Sequence, residues 1–120
     1  MTSYAVELTD AALAAITEHA RYIAIEGRAP ENAKRWLERV WDAVDSLEKL
    51  PRRGAKAQED DYVTYEVRQL VVDSHLLLFT VDDDKQTVWI VGLRHGHRRP
   101  RPQDIPPDLD ALRGSDESES

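Results

Sequence analysis

The spacing of apolar residues changes along the chain, and each change marks an element. Tyr4-Ala5-Val6-Glu7-Leu8 alternates loosely over a short run and predicts an opening strand. Thr9 stands where a helix N-cap belongs, and Asp10 follows in the first turn, where a carboxylate meets exposed N–H groups. Leu13, Ile16, Ala20 and Ile23 recur at helical spacing and predict a first helix that stops at Gly27. Pro30 suits the first turn of a second helix, with Glu31 favourable at its N-terminus. Its apolar stripe is Ala33, Leu37, Val40, Val44 and Leu47, and Pro51 with Gly54 stops it. The link between the two is short, so they are expected to form an antiparallel hairpin. Trp36 and Trp41 flank the second stripe and are expected to wedge this hairpin onto a sheet.

From Tyr62 onward the period becomes two. Val63, Tyr65 and Val67 alternate with Thr64, Glu66 and Arg68, as in a half-buried strand. Asp73-Ser74 reads as a turn, His75 to Val81 as the next strand and Asp82 to Lys85 as another turn. Thr87 to Leu93 makes a final strand. The predicted order is β-α-α-β-β-β, an α+β domain with an antiparallel sheet packed on a helical hairpin. The last two strands are apolar on both faces: Leu76 and Leu78 oppose Leu77, Phe79 and Val81, while Trp89, Val91 and Leu93 oppose Val88 and Ile90. A hairpin covers one face only. The other must meet the chain's own tail (Ile105, Leu109, Leu112), a second copy or a partner.

Composition narrows the class. The chain of 120 residues suffices for one compact domain, and it has no cysteine, which excludes disulfides, thiolate zinc sites and cysteine nucleophiles. No run has the length of a membrane span and Met1–Leu8 lacks a leader pattern, so a cytoplasmic location without membrane contact is expected. The formal net charge of −7 is unevenly placed. Residues 102–120 hold one base against six acids, a balance of −5, and residues 1–101 hold fifteen bases against seventeen acids, −2. The expected organisation is therefore a domain over 1–101 and an acidic, flexible tail over 102–120, disordered from Gly114.

The body ends in a basic edge, Arg94-His95-Gly96-His97-Arg98-Arg99-Pro100-Arg101. Arginine forks match phosphate geometry, so Arg68, Arg94, Arg98, Arg99 and Arg101 are candidates for phosphate or target binding. His95 and His97 exchange protons near neutral pH. Metal-free RNA cleavage needs a base, an acid and cations on the phosphate, so Arg68, Arg94, His95 and His97 form the catalytic set if the protein is a nuclease. No carboxylate stands at a ligand spacing from these histidines, and Asp82-Asp83-Asp84 lacks the glycine and late glutamate of a calcium loop. Neither a metal nor a cofactor is expected.

Taken in order, these pieces resemble the RelE/ParE toxin superfamily, the toxins of type II toxin–antitoxin (plasmid stabilisation) systems. The resemblance covers roughly residues 4–100 and rests on several short stretches. They are Tyr4–Thr9, Pro30…Ala33…Trp36, Ser46-Leu47…Leu50-Pro51-Arg52-Arg53-Gly54, Arg68-Gln69-Leu70, Leu78–Asp82 and Val88–Gly92 with Arg94-His95-Gly96. It implies a cognate antitoxin that buries an apolar groove, a hetero-oligomer with that antitoxin, and a target that is either DNA gyrase (ParE-like) or mRNA in the ribosome (RelE-like). Arg68 and Arg94 match positions at which RelE-like nucleases keep cations on the phosphate. The tyrosine those nucleases carry is missing, and Pro100 falls near its place. The His95-Gly96-His97-Arg98 ending and the two long helices look closer to ParE. The expected function is thus a ParE-like toxin acting by binding. The alternatives are a RelE-like endoribonuclease, for which His95 or His97 replaces the missing group, and a degenerate non-toxic binding module.

Overall fold

The fold is taken from a computed structural model, which describes residues 3–117, with side chains described through Arg113. Strand β1 (Ala5–Leu8) leads into helices α1 (Asp10–Ile25) and α2 (Pro30–Ser46). A two-residue strand β2 (Ala55–Lys56) and a 3-10 turn (Gln58–Tyr62) follow, then β3 (Arg68–Val72), β4 (His75–Asp82) and β5 (Thr87–His95). A second 3-10 turn (Pro102–Asp104) and helix α3 (Leu109–Glu117) close the chain.

The strands form one sheet in the order β1-β5-β4-β3-β2. The central pairs are antiparallel, as the alternating pattern implies, but β1 lies parallel to β5, with Ala5 opposite Thr87 and Leu8 opposite Ile90. The sheet is therefore mixed. Antiparallel neighbours need only a turn between them, whereas β1 is joined to its partner through the whole hairpin and meander. The residues Val63–Val67, expected in a strand, instead bend between the 3-10 turn and β3, and the strand proper begins at Arg68.

The hairpin covers one face of the sheet. Thr9 caps α1 by accepting from the Ala12 N–H at 3.1 Å. Ala12, Ile16 and Ala20 of α1 join Trp36, Val40, Val44 and Leu47 against Leu70, Val72, Leu77, Phe79, Val88 and Ile90. Leu13, expected in the stripe, is instead 46% exposed, because the buried row of α1 runs through Ala12. Trp36 is the wedge that was expected. Trp41 points outward and is 37% exposed.

The opposite face is covered by the chain's own C-terminal segment. Ile105 and Leu112 are buried against Tyr65, Val67, Leu78, Trp89 and Val91. The Tyr65 hydroxyl donates to the Pro106 carbonyl at 2.6 Å. Arg113 grips Asp82 with both forks, Nε to Oδ2 at 2.7 Å and Nη2 to Oδ1 at 2.6 Å. Of the three occupants open for this face, the tail is the one present. Residues 102–113 are thus a packed strap, not a flexible tail; Gly114–Glu117 continue α3, and Ser118–Ser120 lie outside the described residues. The physical reason is apolar area: Ile105 and Leu112 remove themselves and a two-sided sheet from water together.

Candidate functional site

A bulge in β5 decides where the basic edge points. Leu78 pairs with Gly92 and Phe79 with Ile90, so Val91 is an extra residue in β5. Strict alternation from Val88 would place Leu93 with Trp89 and Val91. The inserted residue resets the phase, so Leu93 and His95 face the hairpin while Arg94 faces the strap. Strand alternation splits the edge between two faces of the sheet, and the bulge decides that Arg94 is the residue on the strap side.

On the strap side Arg94 is 3% exposed and Glu59, from the first 3-10 turn, is 1% exposed. Arg94 Nε donates to Glu59 Oε2 at 2.6 Å, Nη2 reaches Oε1 at 3.4 Å, and Nη1 donates to the Arg98 carbonyl at 2.7 Å. All three guanidinium nitrogens are engaged inside the protein. A charged pair this buried survives because each partner satisfies the other. Sequence reasoning missed Glu59, which sits in a Gln-Glu-Asp-Asp run that reads as solvated surface.

On the hairpin side all four histidines of the chain line up. Ring centres are 4.1 Å apart for His19 and His75, 5.0 Å for His75 and His95, and 5.2 Å for His95 and His97. Trp36 closes the row edge-on, 4.7 Å from His19. His75 is 7% exposed and its Nδ1 finds no partner. Burial, aided by His19 and His95, pushes its pKa down to about 4. Burial, then His95, lowers that of His19. Helical and strand spacing hid this row, since His19 looks like a lone helix residue. Among the described residues no group of three His, Asp or Glu side chains is placed to hold a metal ion.

Arg68 joins neither group. It shares its face with Leu70 and Val72, on the hairpin side, and lies opposite Phe79, whereas Arg94 lies opposite Leu76 on the other face. Arg68 Nη2 donates to the Gly54 carbonyl at 3.0 Å, and its Nε is buried without a partner. The proposed catalytic set is thus divided: Arg68 and His95 face the hairpin but at different registers, Arg94 is enclosed beneath the strap, and His97 is exposed in the turn after β5. Arg98, Arg99 and Arg101 are exposed along the same exit, with Arg98 and Arg101 both paired to Asp104.

The described chain is thus an α+β domain, a helical hairpin laid across a small mixed sheet with an arginine-histidine exit from its last strand. The sequence model of the family described as "ParE toxin of type II toxin-antitoxin system, parDE" matches residues 6–100, and the chain belongs to that family. Among solved structures it is similar to one titled "Chromosomal ParDE TA system from P. aeruginosa", at 20% identity and a TM-score of 0.59, covering 78% of this chain and 96% of that one. That likeness is one of fold. No curated protein matches the chain by sequence. The strap lies beyond the part that the family shares. No helix among the described residues is long and apolar enough to cross a membrane.

Proposed function

We propose that this ParE-family toxin acts by binding a cellular target such as DNA gyrase, and that a cognate antitoxin neutralises it in a hetero-oligomer. The observation that supports binding over RNA cleavage is the division of the candidate catalytic side chains between two faces. Cleavage without a metal requires base, acid and cation around one phosphate. Arg94 is spent on Glu59, and the sheet stands between it and His95.

The surface that suits an antitoxin is the outer groove of the hairpin. The apolar sheet face expected for this role is taken by the strap. The groove between α1 and α2 encloses 600 Å³, is floored by Ala20, Ala24, Ala33 and Leu37, and is rimmed by Trp41, Arg21 and Lys34. Small residues on the floor leave room for a helix, and a rim of Arg21 and Lys34 with Glu38 suits the charged edges of an amphipathic segment. The antitoxin partner is also consistent with the toxin–antitoxin title of the solved relative.

Induced expression without antitoxin should arrest growth and raise DNA-damage signalling, and co-expression of a cognate antitoxin should restore growth. Trp41→Glu should keep the toxin folded and active but lose rescue. Normal growth on expression of soluble protein refutes the toxin reading. New mRNA 5′ ends within translated messages refute the binding mechanism.

A further inference from the structure

Where β5 runs into the strap, a cavity of 160 Å³ lies between Gly92, Arg94, Arg98, Arg101 and Asp104. Arg94, 3% exposed, lines it from the inside. An anion of the chain's own making already sits at this place. Asp104 Oδ2 accepts from Arg98 Nη2 at 3.2 Å and from Arg101 Nε at 3.3 Å, and Oδ1 lies 3.1 Å from Arg101 Nη2. Two guanidinium forks converging on one carboxylate is the geometry by which arginine recognises oxyanions. The Asp104 side chain keeps 21% of its surface exposed, so a solute can compete for its place. The neighbouring Arg99 is exposed and makes no ion pair among the described residues.

We propose that Arg98 and Arg101 form a phosphate-binding cradle whose built-in competitor is Asp104. A phosphate group, free or in a nucleic-acid backbone, displaces the carboxylate and takes its place on both forks. Phosphate offers more acceptor oxygens and, as the free ion, more charge than a carboxylate, so it can serve both guanidiniums at once. The displaced Asp104 stays anchored, because its backbone N–H donates to the Arg101 carbonyl at 3.0 Å independently of the side chain. Arg94 shapes the cavity floor but stays with Glu59. The chain's acidity opposes polyanions over the whole surface, which leaves this local exchange to set the affinity. The cradle does not depend on which target the toxin binds, and its test fails or succeeds separately.

The test compares full-length wild type with Asp104→Asn, which keeps shape and backbone bond but removes the competing charge. Inorganic phosphate is titrated while the arginine Nε–Hε signals are followed by NMR. A fluorescein-labelled single-stranded oligonucleotide is titrated by anisotropy at low salt. Asp104→Asn should bind inorganic phosphate about three- to thirtyfold more tightly than wild type, the range spanned by two partly exposed ion pairs. Adding Arg98→Gln or Arg101→Gln should erase the gain. A larger gain for the oligonucleotide assigns the cradle to backbone phosphates, and an equal gain assigns it to free phosphate. Absence of any gain, or a gain that survives loss of either arginine, overturns the proposal. If Asp104→Asn unfolds, Arg98→Gln in otherwise wild-type protein decides: it must weaken phosphate binding, and unchanged binding overturns the cradle.

Discussion

Acid should loosen this protein through one side chain, His75. It is 7% exposed, its Nδ1 has no partner, and burial among His19, Trp36 and His95 holds its pKa at about 4 rather than 6.5. The folded state therefore keeps His75 neutral where the unfolded state takes a proton. Its contribution is complete above pH 6.5 and is lost as pH falls through 4. Over the window between the two pKa values the whole effect is worth about 3 kcal/mol, and about 2 kcal/mol is gone by pH 5. Groups on every side bear on it. His19 of α1, His95 of β5 and Arg98 oppose its charge, while Asp73 in the β3–β4 turn, already gripped by Arg39 of α2, favours it. Urea unfolding followed by tryptophan fluorescence, repeated from pH 7 to pH 4.5, measures the loss. His75→Phe fills the site without a proton site, so its stability should fall less over this range, by about 2 kcal/mol at pH 5. Parallel pH profiles for the two proteins would refute the reasoning, because the acid loss would then belong to other groups.

Further substitutions test the packing. Gly54 has φ +90°, and a Cβ there would stand 2.3 Å from the Gln69 carbonyl oxygen; Gly54→Ala should cost at least about 2 kcal/mol in urea unfolding, and an unchanged midpoint contradicts the conformation. Arg94→Met should cost about 3–5 kcal/mol by stranding Glu59, whereas Arg94→Met with Glu59→Leu should recover most of it; equal losses for single and double variants contradict a buried pair. Leu112→Ala, at a side chain 1% exposed, should cost about 2–4 kcal/mol and raise binding of a hydrophobic dye; a neutral result means that the strap does not cover the sheet in solution.

Much of the fold was legible because local chemistry and tertiary packing agree. Thr9, Pro30 and the apolar runs His75–Val81 and Thr87–Leu93 mark elements that the structure contains, whereas the alternating run Val63–Val67 does not form a strand. The parallel pairing of β1 was hidden, since a strand of four residues carries no sign of its neighbour. The extra residue at Val91 was hidden too, because every residue around it is apolar or small and either phase reads as a strand. That one insertion turns Arg94 away from the face that Arg68 and the helical hairpin share, and so undoes a pairing of arginines that looks natural in the sequence. Ile105 and Leu112 were visible as apolar residues in an acidic stretch, but composition alone favoured a loose tail. Glu59 and the His19–His75–His95 row arise from residues far apart in sequence, and no spacing rule links them.

The parallel pair at the sheet edge also sets the order of assembly. Ala5 waits for Thr87, a partner synthesised 82 residues later, which is about 4–16 s at ordinary elongation rates. The α1–α2 hairpin needs only local contacts and forms within microseconds of emerging. During those seconds a growing chain presents the hairpin's apolar stripe, Ile16, Trp36 and Val40, with no sheet to receive it. Closure of the fold therefore waits until β5 has been made and slots between β4 and the strand made first.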